Sequence, residues 1–180
     1  HSISQVIEKE VLDHLKKLSP DLDGIVISDF VYGVISNHLL VNIMETASNY
    51  QIPLFGDLQC SSQIGNILKF KNFDLLCPTE RETRIALANQ EDGVEWIANT
   101  LMDQSGAKNL IIKLGGEGFI AYGKSNDNGY RLRQHFPALT VNPLDVTGAG
   151  DSLLSAMSIS MTVGSSLLEA SALGTCVAWL

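Results

Sequence analysis

The spacing of hydrophobic positions changes from element to element along the chain. Apolar residues recur three and four positions apart over 3–18, which predicts an amphipathic helix that ends before Pro20. Short apolar runs at 24–29 and 52–57 each close on an aspartate, a pattern typical of buried parallel strands. Because a helical segment at 36–50 separates the two runs, this part of the chain predicts strands that alternate with helices.

The alternation continues through the middle of the chain. Further strands are predicted at 73–77 and 109–114, with one helix starting near Glu80 and another over 91–104. Strands that alternate with helices, without repeats or low-complexity linkers, predict a mainly parallel sheet covered on both faces. We therefore expect one α/β domain over residues 1–180.

The pattern then changes to two extended runs in succession. The runs at 119–122 and 130–136 are joined by a polar segment at 123–129, which predicts an antiparallel hairpin at the edge of the sheet. Two helices, from about residues 148 and 165, close the chain. In open α/β sheets ligands bind outside the carboxyl ends of the strands, where Asp29 and Asp57 fall.

Amino-acid composition limits the kinds of partner that the protein can bind and indicates its cellular compartment. Apolar residues make up 45% of the 180 positions and charged residues 18%, as in soluble globular proteins. The net charge of −8 argues against a nucleic-acid partner, and the sequence contains neither an apolar stretch that could span a membrane nor a signal peptide. Cys60, Cys77 and Cys176 are widely spaced, so we expect reduced thiols in a cytoplasmic protein.

Two spellings of nucleotide-binding motifs lack the context that such motifs need. Residues 118–125 match GxxxxGK[ST], and residues 116–121 match GxGxxA. Both motifs require a helix to begin at the phosphate, but here strand-forming residues and a turn follow. We therefore expect neither a P-loop nor a dinucleotide-dependent oxidoreductase.

A third motif has the required context. Gly148, Ala149 and Gly150 precede an apolar helix, so that their amide groups can gather at its positive end, and Asp151 lies in its first turn. This arrangement can stabilise charge on a transferring phosphoryl group, and an aspartate there can act as a general base. A lone aspartate at this position can also simply complement the helix dipole.

The stretch Asp145-Val-Thr-Gly-Ala-Gly-Asp151 resembles the signature of the ribokinase (PfkB) sugar kinases. The resemblance implies a ribokinase-like three-layer α/β/α fold with ATP and Mg²⁺ as cofactors. It makes Asp151 the base and the amides of 148–150 the anion hole. It also implies a monovalent cation, such as K⁺, near Asp145 and Thr147.

Two further segments agree with this family in order and spacing. Residues 79–82 resemble its N-x-x-E motif, in which Glu82 would hold Mg²⁺ through water, although Thr79 stands where asparagine is usual. Residues 113–118 resemble the turn that lines the nucleotide, through Lys113, Gly115, Gly116 and Gly118. Taken without the family, Glu82 is a solvated first-turn carboxylate and the second segment a simple hairpin turn.

Within the family, residues 27–33 and 56–59 most resemble the "SDY..G" and "VDPK" segments of the heptose-phosphate kinases, including those fused to an ADP-heptose synthase. This makes Asp29 and Asp57 substrate-side candidates, the alternative being plain strand-end carboxylates. Tyr32 and Gln59 replace lysines of that pattern, which weakens the case for a phosphorylated heptose.

The sequence thus predicts a sugar kinase that transfers phosphate from ATP to a sugar or sugar phosphate, in a form compatible with a homodimer. The alternative is a non-catalytic, nucleotide-binding or scaffolding relative, which the changes at 32, 59 and 79 favour. The apolar helix at 170–180 stops without a cap, so we expect a fragment without the family's N-terminal substrate and lid portion or its last helix. Such a fragment would have little activity alone, because remote binding energy positions the substrate.

Overall fold

The computed structural model describes residues 2–59, 65–125, 131–139 and 148–178. The helices are α1 (Gln5–Leu18), α2 (Asn37–Tyr50), α3 (Glu80–Leu87), α4 (Val94–Ser105), α5 (Ala149–Thr162) and α6 (Leu167–Ala178). The strands are β1 (Ile25–Asp29), β2 (Leu54–Leu58), β3 (Leu75–Leu76), β4 (Leu110–Lys113), β5 (Phe119–Ser125) and β6 (Arg131–Phe136). The predicted alternation of strands and helices is confirmed.

The six strands form one sheet in which spatial order follows chain order, from β1 to β6. Strands β1 to β4 pair in parallel, and β5 and β6 add an antiparallel edge. The mainly parallel sheet and its antiparallel hairpin were both predicted. Strand β5 runs on to Ser125, three residues beyond the predicted end, and the remainder of the predicted turn lies outside the described residues.

The sheet separates two apolar cores. One core lies on the side of α1, α2 and α4, and the other lies under α5 and α6. Strand β2 is buried along its whole length and contributes alternately to both, with Leu54 and Leu58 on the first side and Phe55 on the second. Burial on both faces explains why its sequence is a continuous apolar run rather than an alternating one.

Close packing explains a glycine in the middle of β2. A Cβ atom at Gly56 would lie 2.9 Å from Cε1 of Phe73, whose ring stacks on Phe70 at a centroid distance of 4.9 Å. Both rings are fully buried. The short residue therefore lets two aromatic side chains pack directly on the strand, and a larger one would overpack the core by about 1–3 kcal/mol.

Helix α4 begins three residues later than predicted, at Val94 rather than 91. The Asn89 side-chain oxygen accepts the amides of Glu91 (3.2 Å) and Asp92 (3.0 Å) and so closes a turn before the helix. Asparagine commonly forms such turns, which compete with helical hydrogen bonds.

The two rejected nucleotide motifs are strand and turn in the structure. Gly118 has φ 88° and leads directly into β5, and a Cβ atom there would lie 2.1 Å from the Phe136 carbonyl oxygen. This glycine allows the hairpin strands to approach each other.

None of the helices in the described part of the chain has both the length and the apolar character needed to cross a bilayer.

Candidate active site

The carboxyl ends of the parallel strands meet at one edge of the sheet. Asp29 is the last residue of β1, Asp57 is the penultimate residue of β2, and Thr79 bridges to Lys113 at the end of β4. This is the edge at which parallel α/β sheets bind their ligands.

The first turn of α5 reaches the same edge. Gly148 has a left-handed φ of 83° and, as a glycine, contributes no side-chain cap to the helix that follows. The first amide groups of the helix have no carbonyl partner within it and lie at the positive end of its dipole. Asp151 lies half-buried in this turn. The predicted helix start at 148–151 is thus present.

Two side chains from distant parts of the chain bind Asp151. The Ser28 hydroxyl and the Gln59 side-chain amide each donate to Asp151 Oδ1 at 3.1 Å. Neither contact was predicted from the sequence, in which Ser28 had no assigned role and Gln59 stood in place of a lysine. Strand alternation could have indicated the position of Gln59. Residues two apart in a strand point to the same face, so Gln59 is expected on the same side of the sheet as Asp57.

A buried ion pair lies beneath this turn. Lys113 Nζ donates to Asp57 Oδ2 at 2.6 Å, and the Asp57 side chain has no exposed surface. A Cβ atom at Gly150 would lie 3.2 Å from Lys113 Nζ and 3.9 Å from Asp57 Oδ2. The glycine therefore lets the first turn of α5 rest directly on the pair.

Burial and mutual attraction act in opposite directions on these charges. Burial raises the pKa of Asp57, and the charge of Lys113 offsets part of that effect. Burial would lower the pKa of Lys113, but the charge and hydrogen bond of Asp57 outweigh it, so that the pKa is raised above the usual 10.5. Burial also raises the pKa of the neighbouring Cys77 thiol. We conclude that Lys113 is an ammonium and Cys77 a neutral thiol at neutral pH.

Asp29 lies on the opposite face of the sheet from Asp57. In the register between β1 and β2, Ser28 pairs with Asp57 and Asp29 with Leu58, so the two aspartates alternate in direction. Lys69 forms an ion pair with one oxygen of Asp29, and the Val31 amide donates to the other at 2.8 Å. The structure therefore brings Asp57, but not Asp29, to the side of Asp151.

The N-terminus of α3 forms one wall of a cleft. Thr79 caps α3, its hydroxyl accepts the Glu82 amide at 3.1 Å, and Glu82 Oε2 in turn accepts the Thr79 amide at 2.7 Å. Thr79 therefore serves as a helix cap where the family pattern has asparagine. The cleft is lined by Thr79, Glu80, Arg81, Arg84, Gln90, Lys113, Leu114 and Gly115.

The glycines after β4 divide between two roles. Gly115 has φ 61° and borders the cleft, Gly116 has open space where a side chain would lie, and Gly118 packs against β6. Gly115 and Gly116 thus leave room for a ligand to approach the backbone, whereas Gly118 is required by the hairpin.

The residues assigned to cations are only partly described. Among the described residues, no three His, Cys, Asp or Glu side chains are grouped to bind a metal ion directly. The Glu82 carboxylate is buried and accepts the amide of Thr79, a residue that lines the cleft, so a Mg²⁺ ion in the cleft would reach it only through water. Asp145 and Thr147 lie outside the described residues.

The chain is similar in sequence to a family of known proteins. A family model described as pfkB family carbohydrate kinase matches residues 4–180. The bifunctional protein HldE of Trichlorobacter lovleyi is 28% identical over 98% of this chain and 35% of its own length. The HldE of Syntrophotalea carbinolica is 30% identical over 84% of the chain and 30% of its own length.

Solved structures show the same fold. Escherichia coli phosphofructokinase-2 in its tetrameric inhibited form has a TM-score of 0.78 at 17% identity, over 99% of this chain and 57% of that one. Arabidopsis thaliana ribokinase complexed with ribose and ATP has a TM-score of 0.72 at 19% identity, over 93% and 52%.

The mainly parallel six-stranded sheet with its antiparallel edge is that of the ribokinase-like fold. The chain belongs to the pfkB family of carbohydrate kinases. The family predicted from the sequence is therefore confirmed, and the HldE relatives agree with the predicted branch. The chain spans about a third of the length of these curated relatives.

Proposed function

We propose that this chain supplies the nucleotide-binding and catalytic-base part of a kinase that transfers the γ-phosphoryl group of ATP to a hydroxyl of a sugar or sugar phosphate. The observation that carries the proposal is the position of Asp151, in the first turn of a helix that starts from Gly148 at the ligand-binding edge of the sheet. Family membership supports the carbohydrate as acceptor.

In the proposed reaction, the Asp151 carboxylate takes the proton of the acceptor hydroxyl. The acceptor oxygen forms a bond to the γ-phosphorus, the bond between that phosphorus and the β,γ-bridging oxygen breaks, and ADP leaves. The amides of Gly148, Ala149 and Gly150 would stabilise the negative charge on the transferring group, since they lie at the positive end of α5.

The cleft between α3 and the end of β4 is the proposed nucleotide side. Lys113, Gly115 and Gly116 would border the phosphates there, with Thr147 as a further contact and Gly118 shaping the turn. Glu82 would hold Mg²⁺ through water, and the Mg²⁺ ion would neutralise part of the phosphate charge. The Arabidopsis ribokinase solved with ribose and ATP supports a nucleotide in this fold.

The remaining assignments concern the acceptor, a monovalent cation and the assembly. Asp57 is proposed on the acceptor side near Asp151, and Asp29 supports the loop after β1. The resemblance of residues 27–33 and 56–59 to segments of the heptose-phosphate kinases favours a heptose phosphate as acceptor. Asp145 is proposed for K⁺, since E. coli phosphofructokinase-2 has been solved in complex with potassium. We also propose an assembly of identical subunits, which the tetrameric form of that enzyme supports.

The test measures ATP-dependent transfer by the longest natural chain that contains these residues. A panel of sugars and sugar phosphates, including heptose 7-phosphate, would be assayed with the wild type, Asp151→Asn and the exposed control Asp13→Asn. We expect Asp151→Asn to lower the rate by about 10²–10⁴-fold with MgATP affinity unchanged, because the base acts in the transition state.

Wild-type rates in Asp151→Asn would remove this residue from the mechanism. Binding of MgATP without transfer to any acceptor would instead favour a non-catalytic relative. The Asp13→Asn control keeps the change of charge but places it on α1, so it should leave both rate and affinity as they are.

A further inference from the structure

The two hydrogen bonds to Asp151 converge on one oxygen of the carboxylate. Ser28 and Gln59 lie 123 and 92 residues before Asp151, and both donate to Oδ1. Within the described residues, no hydrogen bond to Oδ2 is present. In the described part of the chain, one carboxylate oxygen of Asp151 thus accepts two hydrogen bonds and the other accepts none.

Both donors come from well-fixed positions on the same face of the sheet. Ser28 lies opposite Asp57 in the β1–β2 register, and Gln59 follows Asp57 by two residues. The Gln59 amide N–H also donates to the Asp29 carbonyl at 2.9 Å, which extends the strand ladder past the end of β2. The side chains of Ser28 and Gln59 therefore reach α5 from backbone that the sheet holds in place.

We propose that Ser28 and Gln59 are positioning residues that fix Oδ1 of Asp151 and so present Oδ2 to the hydroxyl that is to be deprotonated. The inference rests on the proposed role of Asp151 as the base. Without the two donors the carboxylate can rotate about its last torsion, which has only a broad preference. A base must lie within hydrogen-bond reach of its proton, and small misplacements lower the rate steeply.

The chemistry of the donors suits this role. Both are neutral, so they orient the carboxylate without forming an ion pair that would satisfy its charge. The ammonium of Lys113, which lies beneath Gly150 on this face, is instead paired with Asp57. The charge of Asp151 is thus left for the incoming proton.

The kinetic test uses the full natural chain and the acceptor that it phosphorylates. Ser28→Ala and Gln59→Leu should each lower kcat by roughly 3- to 10-fold, the value of one net hydrogen bond, with KM for ATP unchanged. Ser28→Thr keeps the hydroxyl and should restore most of the rate. Gln104→Leu makes the same change at an exposed position of α4, on the other face of the sheet, and should have no effect.

A second measurement does not depend on turnover. The side-chain amide signal of Gln59, identified by its loss in Gln59→Leu, should shift in the NMR spectrum when Asp151→Ala removes the acceptor and stay in place in Asp13→Ala. An unmoved signal would overturn the inference, as would unchanged kcat in both positioning variants while Asp151→Asn still loses transfer. Retained transfer in Asp151→Asn would instead overturn the proposed function.

Discussion

Two buried ion pairs lie at the carboxyl ends of neighbouring strands. Asp29, the last residue of β1, pairs with Lys69, and Asp57, near the end of β2, pairs with Lys113. The Asp29 carboxylate also accepts the amide of Val31, whose φ of 61° is strained for a β-branched residue, and so fixes the loop after its strand. The second pair lies against the first turn of α5. A difference of one position in the strand register thus separates a pair that shapes a loop from one that supports the candidate catalytic helix.

The largest difference between the pairs should appear when each loses its cation. Lys113→Met leaves the fully buried Asp57 carboxylate without a partner charge, which typically costs about 3–5 kcal/mol of unfolding free energy. Urea unfolding at neutral pH would measure the loss. The double variant Asp57→Leu with Lys113→Met removes both charges and should recover most of the stability; no recovery would mean that the lysine stabilises through its packing alone.

The corresponding change in the other pair should cost less. Lys69→Met leaves Asp29 with the Val31 amide, and the lysine side chain is 23% exposed, so water can reach the site. We expect a loss of about 1–3 kcal/mol in the same urea experiment. Lys71→Met, at an exposed lysine two residues later, is the matched control and should be nearly neutral. A loss as large as that of Lys113→Met would contradict the ranking of the two pairs.

Alkaline pH should bring out the smallest effect. The pKa of Lys113 is raised above 10.5 by Asp57, so the pair stabilises the fold below pH 10.5 and loses this contribution as pH rises through the folded-state pKa. The stability difference between wild type and Lys113→Met should therefore shrink above pH 10.5, by at most about 1.4 kcal/mol per pH unit. Unfolding curves on both sides of pH 10.5 would show it. A constant difference would argue against titration of this lysine.

Local patterns were enough to predict the helices and strands and the glycine turn that starts α5. Strand and helix periodicity is local, so a few residues are enough to identify an element. This holds for the apolar runs at 24–29 and 52–57 and for the glycines at 148–150. Helix starts were less certain, as the turn closed by Asn89 shows.

The faces and partners of the site residues could not be obtained in this way. Asp29 and Asp57 each close a similar run, and only the pairing of β1 with β2 decides which aspartate faces α5. Lys113 was predicted to line the nucleotide, and its ion pair with Asp57 spans 56 residues. Gln59 replaces a lysine of the family pattern, but in the folded chain its side-chain amide donates a hydrogen bond to Asp151.

Because each strand pairs with the next strand along the chain, the sheet can grow from β1 towards β6 while the protein is still being synthesised. Helix α5 comes after all six strands, yet it packs back onto β1 and β2. Until it arrives, the apolar side chains beneath it, such as Phe55 and Leu75, have no cover. Nascent chains that stall before α5 should therefore bind chaperones or aggregate, and the helix that carries Asp151 covers these side chains and reaches the site in the same step.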